Sequence, residues 1–190
     1  ATDSEKYSFP AKEMLQEYRL LISGKLQPLL RAMRCLPAPP SDVPLLTNPM
    51  ERLAACCEEL FKAQAQMLEE FVTRHRQPPE DKLGHVLEPT TEVLNQLEEV
   101  EEEATGPYLQ HVQMVASGLG AIAWVSVASP TLYVTEILNS VPALGEKVGV
   151  HGEDHQKFVL LFKELLRGLL AYVKAFHPNG VHWNPAGKPL

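Results

Sequence analysis

Apolar positions in the last third of the chain recur in a single pattern. Phe158, Phe162, Leu165, Leu169, Tyr172 and Phe176 follow one another at alternating spacings of four and three, which puts them on one face of an α-helix. Val159, Leu166, Leu170 and Val173 form a second stripe beside the first. A helix that is apolar on two stripes needs neighbours on two sides, so it is expected at the centre of a bundle. His177-Pro178-Asn179-Gly180 ends it. Proline cannot continue a helix, and Asn-Gly supplies the backbone freedom of a reversal.

The same period runs through the rest of the chain. Met14, Leu15, Tyr18, Leu21 and Ile22 predict a first helix over 11–22. Ser23-Gly24 predicts a break, with Pro28 in the first turn of a second short helix over 25–36. Five prolines between Pro37 and Pro49 read as a stiff connector. Asn48 is placed to cap the next helix, with Pro49 and Glu51 in its first turn. Met50, Leu53, Cys57, Leu60, Phe61, Gln64, Met67, Leu68 and Phe71 carry that helix to about His75. Pro89 is expected to end or kink the following segment, after which Val93, Leu94, Leu97 and Val100 mark a helix running to Glu103. A helix from Pro107 to about Ala128 contains Gly118 and Gly120. Each glycine costs about 1 kcal/mol in a helix interior, so close packing is expected there. Ser129-Pro130 opens a helix that should stop near Pro142, with a loop over 143–152. Glu153 or Asp154 starts the last helix, where negative charge suits the dipole. Alternating β-branched runs are scarce, and the class expected is all-α.

Composition narrows the function classes. The 190 residues are 45% hydrophobic and 22% charged, which is ordinary for a soluble globular domain. The net charge is −7 and no basic face stands out, which argues against a nucleic-acid binder. The beginning is polar, with no signal peptide, and no apolar run reaches the roughly 18 residues a membrane span needs. Cys35, Cys56 and Cys57 suit neither a disulfide framework nor metal-ligand spacing, and fit a reducing, cytosolic setting. The chain reads as a piece of a longer one, since Ala1 is not an initiator Met.

Candidate chemistry is sparse. His151 and His155 stand four apart, a spacing that could chelate a metal from one helix face, but Gly152 between them disfavours it. No nucleophile elbow, phosphate loop or paired Glu-x-x-His motif occurs. No enzyme, cofactor or metal site is therefore expected. The run Glu98, Glu99, Glu101, Glu102 and Glu103 reads first as a solvated face, and second as a contact surface for a basic partner.

The C-terminal motif is the most specific feature. Ala171-Tyr172-Val173-Lys174, Phe176-His177, Gly180, Trp183 and Gly187 fit, position by position, the close of the N-terminal helical domain of cyclase-associated proteins (CAP). Three upstream stretches resemble the same family, in the same order. They are Asp81-Lys82-Leu83 with Leu87 and Pro89, the stretch Leu119 to Val125, and Ser129-Pro130 with Tyr133-Val134-Thr135-Glu136. The segment from Val141 to Val150 departs from the family pattern at Pro142, Gly145 and Gly149.

The resemblance implies an antiparallel six-helix bundle over 11–177. An N-terminal tail over 1–10 precedes it, and a tail over 178–190 leads toward a proline-rich linker. It implies binding to cofilin-decorated actin near the pointed end, with promotion of filament turnover, in the cytoplasm at the actin cytoskeleton or cell cortex. Adenylyl cyclase would be bound only through a family segment outside this chain, and weak homodimers are an expectation of the family. The contacts expected for actin and cofilin are Lys147, Lys157, Lys163, Lys174 and His177, with Tyr133 and Glu136 as secondary choices. Tyr172, Phe176 and Trp183 are expected to anchor the core, with Trp183 folded over the bundle end. The alternative is a generic helical adaptor for an amphipathic helix or lipid head groups.

Overall fold

The computed structural model describes residues 8–42, 44–45 and 47–190. Most of the expected N-terminal tail, residues 1–7, lies outside the described residues. Among the described residues the α-helices are α1 (Ala11–Leu21), α2 (Gln27–Arg34), α3 (Met50–Met67), α4 (Glu80–Glu103), α5 (Leu109–Leu119), α6 (Pro130–Gly149) and α7 (Glu153–Phe176). Turns of π-helix join α1 to α2 and extend α3, and 3₁₀ turns flank α5. The result is a bundle of six helical rods.

The expected break at Ser23-Gly24 does not occur. A π-turn over Ile22–Leu26 carries α1 into α2 as one rod. The buried positions Met14, Tyr18 and Leu21 are followed after five residues by Leu26, then by Leu29, Leu30 and Met33. A turn that closes over five residues keeps this apolar face in register, where an α-turn would rotate it away. The turn also precedes Pro28, whose missing N–H then falls at the start of α2.

Pro89 and Pro142 were expected to stop or bend their helices. Both lie inside α-helices, in α4 and α6. Each is exposed, so a carbonyl freed on that side can meet water. The opposite faces bury Val86, Thr90, Val93, Leu97 and Val100 in α4, and Val134, Val141, Gly145 and Val148 in α6. That burial offsets the roughly 3 kcal/mol an interior proline costs. The loop expected over 143–152 is consequently helical as far as Gly149.

Helix starts agree with the sequence in position. Asn48 accepts the Met50 N–H at 2.9 Å through its side-chain oxygen. Glu51, instead of closing a capping box, faces Arg34 at 3.3 Å. Ser129 stands at the head of α6 without a side-chain cap bond. The α7 helix packs against α6, α2 and α1, as its two apolar stripes require. The core around it holds Trp124, Tyr18, Tyr108, Phe61, Phe158 and Phe162.

The close approach expected at two glycines is needed at only one. A Cβ on Gly118 would stand 2.3 Å from the Phe162 ring, whereas at Gly120 the nearest atom is Ile137 Cδ1 at 3.9 Å. At Gly120 α5 tightens into the 3₁₀ stretch Gly120–Ser126, which carries Trp124 into the core.

Candidate protein-binding surface

Four of the sequence-selected residues are lysines on the last two helices. Lys147 lies on α6, and Lys157, Lys163 and Lys174 lie on α7; all are exposed except half-buried Lys163. None of them makes an ion pair among the described residues, whereas Arg19, Lys25, Arg34, Arg52, Lys62 and Arg167 do. The structure does not gather all four. Lys163 and Lys174 are eleven residues apart, three helical turns, and share a face. Lys157 is six residues before Lys163 and projects about 120° away from it. It lines a hollow with Arg31, Cys35, Leu36 and Asp154 instead. Lys163 borders a groove of about 510 Å³ whose other walls are Gly145, Glu146, Gly149, Val150, Gln156 and Val159.

Tyr133 is half-buried, and its hydroxyl donates to the Gly120 carbonyl at 2.8 Å. It ties α6 to the 3₁₀ turn and has little freedom to reach a partner. Glu136, one turn on, is exposed.

His177 corrects the sequence expectation. It is fully buried and offers no surface to a partner. Its Nδ1 accepts the His182 amide N–H at 2.9 Å, so its own proton sits on Nε2 and faces the Tyr172 hydroxyl at 3.1 Å. Its ring lies 4.7 Å from that of Trp124. Burial, and then nearby His182, lower its pKa to about 3. The residue closes the bundle end.

The tail beyond His177 follows the same logic. Trp183 is buried, as expected of a residue folded over the bundle end. Asn184 donates its amide to Val72 O at 3.0 Å and its side-chain N–H to Thr73 O at 2.8 Å. Lys188 and Arg74 pair through their backbones at 3.1 Å. Gly187 sits so close that a Cβ would stand 2.5 Å from the carbonyl carbon of His75.

Two buried polar groups went unread in the sequence. Gln64 was placed only within an apolar stripe, yet its Oε1 accepts Tyr18 Oη–H at 2.9 Å and Trp124 Nε1–H at 2.8 Å. Its Nε2 donates to Ile122 O at 2.9 Å. An amide among leucines and phenylalanines was the signal. His111 is fully buried and lies 2.8 Å from His155, nitrogen to nitrogen. Its place among Val112, Met114 and Val115 was the corresponding signal.

Other candidates resolve simply. His155 is helical but His151 lies in the preceding turn, and no three His, Cys, Asp or Glu side chains among the described residues form a metal-holding group. Cys57 is fully buried, and burial pushes its thiol up, away from the thiolate. The carboxylates of Glu98, Glu99, Glu101, Glu102 and Glu103 are exposed, and Glu103 meets Arg52 at 2.6 Å. No helix among the described residues is long and apolar enough to cross a membrane. A groove of about 540 Å³ between α1 and α7 is floored by Gly24, Gly168, Ala171 and Ala175 and edged by Glu13, Glu17 and Leu20.

Residues 46–181 match the family described as CAP, N-terminal domain. The adenylyl cyclase-associated protein of Hydra viridissima is 26% identical over 150 residues, covering 76% of this chain and 31% of that protein. Human adenylyl cyclase-associated protein 1 is 29% identical over 118 residues, covering 59% of this chain and 25% of its own length. The chain thus spans less than a third of the curated relatives it matches. The N-terminal domain of CAP from Dictyostelium discoideum superposes with a TM-score of 0.80 at 16% identity, covering 92% of this chain and 97% of that one. A crystal structure of a CAP N-terminal domain that indicates variable oligomerisation gives 0.81 at 15% identity, covering 93% of each chain.

Proposed function

The chain belongs to the CAP N-terminal domain family, and on that premise we propose that it is an actin-regulatory binding domain. It engages cofilin-decorated actin filaments near the pointed end and promotes subunit dissociation and filament turnover. The family match over residues 46–181 carries this reading. The surface supports it: Lys147, Lys157, Lys163 and Lys174 make no ion pairs among the described residues, which leaves them for acidic groups of a partner. His177 is set aside as a contact, and Tyr133 acts by holding α6 in place.

No covalent step is needed. A surface that binds the terminal subunit more tightly in its departing arrangement than in the filament lowers the barrier to its loss. The shift is limited by that differential affinity. The chain also forms a weak homodimer on this reading, in line with the variable oligomerisation of its structural relative. Light scattering over a concentration series tests that point, and a constant mass rejects it.

Co-sedimentation with actin filaments, with and without cofilin, tests the main reading, together with the pointed-end depolymerisation rate. Binding that depends on cofilin and a faster rate are expected; neither effect would sink it. Lys157→Glu combined with Lys174→Glu should weaken the acceleration roughly tenfold while the helical circular dichroism persists. An unchanged rate would remove these lysines from the contact surface.

The α1–α7 groove supports a second reading, an adaptor for an amphipathic helix. Its small-residue floor admits a close helix, and exposed Leu20 on its edge is an apolar contact. Leu20→Glu separates the two: it should abolish helix docking and leave actin turnover intact.

A further inference from the structure

Three histidines meet where α5 packs against the turn between α6 and α7. His111, on α5, is fully buried, and His155, in the first turns of α7, is nearly so. Nε2 of His111 and Nδ1 of His155 stand 2.8 Å apart. The ring of His151, in the turn itself, lies 5.7 Å from that of His111 and 5.5 Å from that of His155. Gly152, at φ +125°, follows it and starts α7. Tyr108 and Phe158 complete the walls, their rings 5.4 and 6.0 Å from His111.

This arrangement holds only when both rings are neutral. One of the facing nitrogens must donate and the other accept. Nδ1 of His111 is buried without a partner. A lone pair there is cheaper than an orphaned N–H, so the proton of His111 belongs on Nε2 and points at His155 Nδ1. A proton added to His155 at Nδ1 would set two N–H groups against each other. A proton added to His111 at Nδ1 would bury a charge with no acceptor. The charges acting on the pair come from the two rings themselves, from His151 and from Asp154; Tyr108 faces them as a neutral phenol. Among the described residues, α3, α4 and α6, which also pack on α5, add no charge to them.

We propose that the His111–His155 pair, with His151 beside it, is an acid-sensitive latch that fastens the α6–α7 turn to α5 at neutral pH and releases it on acidification. The turn lies between Lys147 and Lys157, so release loosens the backbone between them. The direction follows from linkage. Burial first, and then the neighbouring histidines, lower His111 to about 3, and His155 is lowered for the same leading reason. For a histidine depressed on folding, the stabilisation is complete above its unfolded value near 6.5. It declines as pH falls from there toward the folded value. The latch is therefore shut at pH 7.5 and weakened at pH 5.5.

Amide hydrogen exchange on the whole chain, corrected for the pH dependence of the intrinsic rate, tests this at pH 7.5 and 5.5. Protection over 150–159 should be lower than at the centre of α3 and should fall about tenfold for each histidine that takes up a proton on opening, whereas the centre of α3 follows global stability, to which buried His177 also contributes. In His111→Phe/His155→Phe, which keeps aromatic volume without titration, the loss over 150–159 should disappear. His111→Phe alone serves if the double variant does not fold, and it should reduce the loss. Protection over 150–159 no lower than at the centre of α3, no loss in the native chain, or an undiminished loss in the phenylalanine variants would each overturn the latch.

Discussion

Trp124 donates its indole N–H to Gln64 Oε1 across 2.8 Å, and the same oxygen receives the hydroxyl of Tyr18. With Gln64 Nε2 bonded to the Ile122 carbonyl, one amide satisfies three polar groups from two other parts of the chain in a site closed to water. Replacing it by an apolar residue leaves a hydroxyl and an indole N–H buried without partners. Each such group costs about 1–3 kcal/mol. Gln64→Leu should lower unfolding stability by about 3–5 kcal/mol by urea titration, and a loss below 1 kcal/mol would show that water or repacking takes over.

Gly118 and Gly84 should respond to alanine with opposite signs. At Gly118 the new methyl would meet the ring of Phe162, which is itself fully buried. Overpacking of that kind costs about 1–3 kcal/mol. Gly84 is an exposed residue inside α4 with nothing near its Cβ direction, so Gly84→Ala should gain up to about 1 kcal/mol from helix propensity. Thermal melting of the two variants beside the parent checks both signs at once.

His177 makes stability fall with acid. Its folded pKa, lowered to about 3 chiefly by burial, lies below the ordinary histidine value near 6.5. The unfolded chain therefore takes up the proton first as pH falls. Stability attributable to this ring is complete above about pH 6.5 and should decline by up to about 1.4 kcal/mol per pH unit below it. Denaturant titrations at pH 7.5, 5.5 and 4.5 measure the slope. His177→Gln should reduce the slope, leaving the part due to His111 and His155, while lowering stability at pH 7.5.

Gly187 is held against the backbone of His75 too closely for a side chain. Gly187→Val should detach the segment after Asn184 from the end of α3. Exchange protection at the Lys188 amide, bonded to Arg74 O, should then be lost while the six rods keep theirs. A crystal structure with the tail still in place would contradict this.

Each element was legible as far as its own side chains dictated it. The stripes at spacings of three and four named nearly every helix, and the two stripes of α7 correctly implied neighbours on more than one side. The prolines were misread because their local cost is visible in sequence while the offsetting burial of Val93, Leu97, Val141 and Val148 is not. The same blindness made Ser23-Gly24 look like a break. Only the required alignment of Leu21 with Leu26 against other helices explains the π-turn.

For the binding surface, the sequence supplied the residue types and the tertiary structure decided which of them have a surface. A lysine on the polar side of a helix stays accessible, so Lys157 and Lys174 could be chosen from periodicity alone. His177 could not be judged that way. Its exposure depends on Trp124 and His182, residues brought to it by the folded tail and a 3₁₀ turn more than fifty positions upstream. By itself the sequence determined the helical segments and the family motif, because helical period and side-chain polarity act over a few residues. Burial, pairing and the neutral state of His111 and His177 were decided by tertiary structure, because desolvation and hydrogen bonding depend on partners distant in the chain.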